Sequence, residues 1–228
     1  FSHSDQVAQF RTAVSRGGST IGWGGRLADR TGPINIGAAI PMITSVAGVT
    51  VFSNGATSSP LIVEPSPTPL NQVLTLNGFG TTSDELARKT AMSQIRGEDL
   101  DKTLVQMTGF LTQQAVNVSE QLNTDPTLTV TFPNTNLGNQ LRQVAKLMKF
   151  RDSLNMTRQI FFVQLPGFDT HGGQINGQGN LFTQLSQALK AFYDETVAQG
   201  ISGQVTSFTM SDFSRTLNPA SSGSNVGS

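Results

Sequence analysis

Apolar positions along the chain alternate between helical spacing, short continuous runs and stretches with no period. Val7, Phe10, Ala13 and Val14 recur at helical intervals, so a first short helix is expected from Ser4, as N-cap, to Ser15. Residues 34–63 are rich in Ile, Val, Ala, Gly and Ser without helical period. Within them Val49-Thr50-Val51-Phe52-Ser53, followed by Asn54-Gly55, reads as strand and turn, and Pro60-Leu61-Ile62-Val63 as the return strand. Alternate prolines at Pro65, Pro67 and Pro69 then break regular structure. Thr82 and Glu85 have the spacing of a capping box, which starts a helix. It pauses at Gly97 and resumes along Leu100, Leu104, Met107 and Leu111, a stripe expected in core or interface packing. Asn123-Thr124-Asp125-Pro126 ends that run, and Leu137, Leu141, Val144 and Met148 mark another amphipathic helix reaching about Asn155.

The last third changes character. Gln159-Ile160-Phe161-Phe162-Val163 is a continuous apolar run, as in a strand buried on both faces of a parallel sheet. Asn180 is expected to cap a helix with Leu181, Leu185, Ala188, Leu189 and Phe192 on its apolar face, ending near Gly200. Val205-Thr206-Ser207-Phe208-Thr209-Met210 then reads as a second strand. Strand, helix and strand form a right-handed crossover with parallel strands, so the class is α/β. The lone Trp23, set among Gly22, Gly24 and Gly25, reads as a packing corner.

Composition narrows the partners. In 228 residues, 15 Lys plus Arg balance 15 Asp plus Glu, so no basic face offers itself to nucleic acid. Only 13% of residues are charged while Ser, Thr, Asn and Gln number 80, which points to life outside the cytoplasm. Cysteine is absent, excluding thiol nucleophiles, thiolate metal sites and disulfides. No apolar run is long enough for a transmembrane helix. The Phe1 start and the polar tail after Ala220 make the chain read as a piece of a longer protein. It divides into residues 1–80 (short helix plus irregular or β segment), 81–155 (helical) and 156–228 (the βαβ unit) of one partial domain.

In a parallel sheet, functional groups collect beyond the carboxyl ends of the strands. Two loops qualify. One is Pro166-Gly167-Phe168-Asp169-Thr170-His171-Gly172-Gly173-Gln174, and the other is Ser211-Asp212-Phe213-Ser214-Arg215-Thr216. On neighbouring strands Asp169, His171 and Asp212 fall within roughly 10 Å of one another. Carboxylate and imidazole donors suit a divalent metal: zinc, manganese or calcium. The same residues can equally form a turn in which Asp169 bonds its own backbone, and Asp212 can be an N-cap. Arg215 can bind an anion or neutralise nearby carboxylates. His3 is the other histidine, but no Gly-x-Ser-x-Gly elbow accompanies it, and neither a P-loop nor a dinucleotide fingerprint occurs.

Taken together, His3-Ser4, Gly22-Trp23-Gly24-Gly25-Arg26-Leu27-Ala28-Asp29, Phe161 through His171 and Ser211-Asp212-Phe213-Ser214-Arg215-Thr216 resemble a bacterial family of exported, sulfatase-like proteins of unknown function. That family lies within the alkaline phosphatase-like superfamily and uses the twin-arginine export route. The resemblance implies a mostly parallel sheet flanked by helices, incomplete in this chain, with metal at its carboxyl edge. It casts Asp169, His171 and Asp212 as metal ligands, with Arg215 and His3 as substrate-binding residues. The superfamily's usual Asp-His pair reads Asp212-Phe213 here, so one ligand of a two-metal site is missing. The nucleophile-bearing first strand and a further histidine loop would lie outside residues 1–228. The expected function is thus a periplasmic or extracellular metal-dependent hydrolase of phosphate or sulfate esters. The alternative is a non-catalytic secreted or cell-surface protein that retains the fold and self-associates or assembles on the surface.

Overall fold

The computed structural model describes residues 2–16, 18–72, 79–98, 101–170 and 172–211, apart from the Leu111 side chain. Its helices are α1 (His3–Thr12), α2 (Trp23–Thr31), α3 (Ser83–Ile95), α4 (Thr103–Gln121), α5 (Asn136–Lys149) and α6 (Gln174–Ala198). Three short strands, β1 (Ile43–Ser45), β2 (Leu61–Ile62) and β3 (Ile160–Phe162), form one sheet in the order β2-β1-β3. Both pairings are parallel, with Thr44 opposite Leu61 and Phe161. The chain is therefore α/β, with a small parallel sheet flanked by helices.

Helix α5 organises the packing. Leu141, Val144, Ala145 and Met148 meet Ala188 and Phe192 of α6, together with Val46 beyond β1 and Ile201. On another side Leu147 joins Ile40, Val63, Leu70, Val118, Leu122 and Leu154. The expected stripe of α5 is thus core in full, and the helix ends at Lys149, with the chain turning through Leu154. A third cluster gathers Ala28, Met42, Ile43 and Phe52 beside Trp23 and Phe162. Trp23 meets the Phe52 ring edge-on at 4.7 Å, as a packing corner requires. Helix α2 lies so close to the next segment that a Cβ on Gly25 would stand 2.0 Å from the Asn54 carbonyl oxygen, which only glycine permits.

Several expectations are corrected. Helix α1 is capped by Ser2, whose hydroxyl accepts from the Asp5 N–H, so Ser4 sits inside the helix. Val51–Ser53 is a 3-10 turn; the Thr50 hydroxyl accepts from the Phe52 N–H and turns that ring toward Trp23, so no strand forms there. The strand of this region is β1, buried throughout. Helix α6 begins at Gln174 after a left-handed Gly173, leaving Asn180 mid-helix. Strand β3 is half-buried, with β1 as its only pairing among the described residues. Residues 205–210 carry no strand and are mostly exposed, so the parallel pairing comes from earlier strands: the chain passes from β1 to β2 on one side and then to β3 on the other. The helical 83–121 region follows expectation at its start, with the Thr82–Glu85 capping box formed, and α4 ends at Gln121. Its stripe is not core: Leu104 and Met107 are exposed, Leu100 lies outside the described residues, and α4 buries Val116 and Val118 instead.

Candidate functional site

The loop after β3 is fixed at three points. First, the buried Gln140 side chain of α5 accepts from the Gln164 N–H at 2.8 Å and donates to the Gln164 carbonyl at 2.9 Å. Next, Gly167 takes φ +105°, a conformation that side chains resist, and the chain turns. Finally, the Phe168 ring packs edge-on against Phe182 of α6 at 5.5 Å. Asp169 emerges from this clamp at the carboxyl edge of the sheet.

Helix α1 reaches the same edge. Its last turn is held by the buried Thr12, whose carbonyl accepts from Arg26 Nη2 at 2.6 Å. Arg11 donates to the Thr50 hydroxyl and lies 5.7 Å above the Phe162 ring at the end of β3. The Ser2–Asp5 capping box sets the first turn, and His3 projects from it. His3 Nδ1 comes to 3.2 Å from Asp169 Oδ2, with both side chains partly exposed at 48% and 39%. A carboxylate at Nδ1 fixes the orientation of the imidazole ring. Beside the pair, the Thr170 hydroxyl is buried and has no partner among the described residues.

The structure thus joins two residues that the sequence offered for separate roles, His3 for substrate and Asp169 for metal. His171, Asp212 and Arg215 lie outside the described residues. Among the described residues, no three His, Cys, Asp or Glu side chains group as a metal site. Of the three expected ligands only Asp169 is among the described residues, and its contact there is His3, the residue expected at the substrate. Sequence reasoning missed Gln140, which fixes the loop; the Ser2-x-x-Asp5 spacing was the available signal that His3 opens a helix.

Elsewhere, carboxylates serve the fold. Burial alone would raise the Asp29 carboxyl, but bonds from the Ala56 and Ser58 N–H groups and from Thr57 outweigh it and hold it far below the usual carboxylate range. Asp125 is likewise pushed up by burial and brought down further by the Leu70 N–H and by Lys146, itself buried, at 2.7 Å. The fully buried Glu195 accepts from the Thr129 and Val130 N–H groups, both at 2.9 Å. None of the described helices is long and apolar enough to cross a membrane.

No curated protein and no solved structure matches the chain. A family model does, from residue 81 to residue 226, a span that takes in α3 through α6 and the Asp169 loop and leaves α1 with His3 before it. On that match the chain belongs to the family described as Protein of unknown function (DUF1501).

Proposed function

We propose that this chain is part of an exported, metal-dependent hydrolase of phosphate or sulfate esters with an alkaline phosphatase-like fold. The observation that carries the reading is the 3.2 Å contact between His3 and Asp169 at the carboxyl edge of a parallel sheet. An aspartate–imidazole pair at that edge is where open α/β sheets keep their chemistry. The resemblance of the two loop motifs to exported sulfatase-like proteins supports it from the sequence side.

In this reading Asp169, His171 and Asp212 supply the metal's donors, and Arg215 and His3 face the ester's anionic oxygens. A divalent ion held there would supply polarisation of the ester oxygen and a lowered pKa for the nucleophile. The chain's own part is positional. Gln140 and Phe168 hold the Asp169 loop in place, and Asp169 sets the orientation of His3. The low share of charged residues supports a periplasmic or extracellular setting.

Metal content and turnover test the proposal together. The purified intact protein, with the segments beyond residues 1–228, is expected to retain zinc, manganese or calcium after dialysis and to hydrolyse an aryl phosphate or aryl sulfate. Asp169→Ala is expected to lose both while keeping its melting temperature. A protein that holds no metal and cleaves neither ester overturns it, and leaves the second reading, a non-catalytic cell-surface protein on the same fold. The observation favouring that second reading is the exposed apolar strip on α4.

A further inference from the structure

We propose that the hairpin of α3 and α4 is a self-association surface on which a second copy of this chain packs its own hairpin. The inference stands independently of the hydrolase reading. The hairpin is joined by ion pairing of Lys89 with Glu120 and by Arg96 donating from Nη2 to Gln113. Only its α4 end reaches the core, through Val116, Val118 and Leu122; α3 buries none of its residues. The rest of the hairpin presents Ile95, Leu104, Met107 and Phe110 to solvent at 71%, 81%, 57% and 62% exposure. Leu104, Met107 and Phe110 follow one another at three-residue steps, so they form one strip. From Thr103 to Ser119 the sequence has no charged residue.

Area and charge identify the occupant. Counting Val105 as well, the exposed apolar side chains amount to roughly 500 Å² on each copy at the usual size of such groups. With a polar rim this approaches the ~800 Å² per partner of a standard interface, enough for a reversible dimer. Between the two helices the described residues carry Glu98 and Asp101 beside Arg96 and Lys102. Two copies related by a two-fold axis bring Lys102 of one toward Glu98 and Asp101 of the other, and each residue is used twice. A lipid surface fits less well, because α4 has no basic residues and the exposed Glu98 and Asp101 would oppose an anionic leaflet.

Sedimentation velocity from about 1 to about 200 µM spans the expected affinity range, and a monomer–dimer equilibrium is the expected result. Leu104→Glu combined with Met107→Glu should weaken it by at least about thirtyfold, as for charges placed on a central apolar contact, with circular dichroism and melting temperature unchanged. The chain has no cysteine, so Met107→Cys gives a second readout that does not depend on the charged variant. Mild oxidation should yield a covalent dimer, whereas Ser153→Cys, on an exposed turn outside the apolar strip, should stay monomeric. A monomer at every concentration overturns the proposal. So does a dimer indifferent to the two glutamates, or a monomer that floats with phosphatidylglycerol vesicles.

Discussion

The side-chain amide of Gln140 pairs with both backbone groups of Gln164, as a neighbouring strand would, and so carries the pairing pattern past the end of β3. Gln140 is 4% exposed, so cutting it back leaves two backbone groups without partners in a dry place. Gln140→Ala is expected to cost about 2 kcal/mol and to speed amide exchange at Gln164. Gln140→Glu keeps an acceptor for the N–H but sets a carboxylate oxygen against the carbonyl, so it should cost as much or more. Urea titration and hydrogen exchange of the two variants check this.

The His3–Asp169 pair should divide stability from activity. Both groups are more than a third exposed, so removing either is expected to change stability by under about 1 kcal/mol. His3→Ala and Asp169→Asn should nonetheless reduce ester hydrolysis by about 10² or more, the usual scale for a lost positioned acid–base or ligand group. Thr170→Val removes a buried hydroxyl that has no partner among the described residues, and should raise the melting temperature. Thermal melts and steady-state kinetics on the same preparations provide the comparison.

Asp29 gives the acid limb of stability its sign. Its carboxyl is depressed in the fold by the bonds from Ala56, Thr57 and Ser58, while in the unfolded chain it returns to about 3.9. The unfolded state therefore takes up its proton first. The contribution of Asp29 is complete above the unfolded value and is lost as pH falls through the folded one. Asp125 acts in the same direction. Asp29→Asn should flatten the decline in urea midpoint between about pH 5 and about pH 2, and Asp29→Ala should cost about 2 kcal/mol at neutral pH.

Glu195 is expected to be the least replaceable carboxylate. It is fully buried and accepts two backbone N–H groups of the segment that links α4 to α5. Glu195→Leu strands both donors and should cost about 3 kcal/mol or more. Glu195→Gln retains one acceptor oxygen and should cost less. Equilibrium unfolding of the two variants orders them.

What could be read without coordinates was what local physics determines. The Thr82–Glu85 capping box and the Leu137, Leu141, Val144, Met148 stripe each depend on residues within a few positions, and both stand as expected. β1 was missed because three residues are too few to show a period of two, and its burial comes from partners far along the chain. The start of α6 was placed late because Gly177 and Gly179 lower helix propensity there, and packing of Phe182 against Phe168 overrides them. The stripe on α4 has the right period, but periodicity cannot say which partner covers it. Asp169 was picked out by the rule for sheet edges, whereas its contact with His3, from the other end of the chain, has no local signature.

The sheet's order has a consequence for how the molecule is assembled in time. β3 finds its described partner more than 110 residues back, at Ile43 opposite Ile160, and His3 meets Asp169 over a still longer span. Such pairings must close very large loops before they return any energy, which makes folding slow and leaves β3 without a neighbour until late. A fragment reduced to residues 81–226 would keep β3 but lose β1 and β2, and with them the only template described for it. It should expose a bare strand edge and aggregate, so the smallest unit able to fold must begin well before the segment by which the family is recognised.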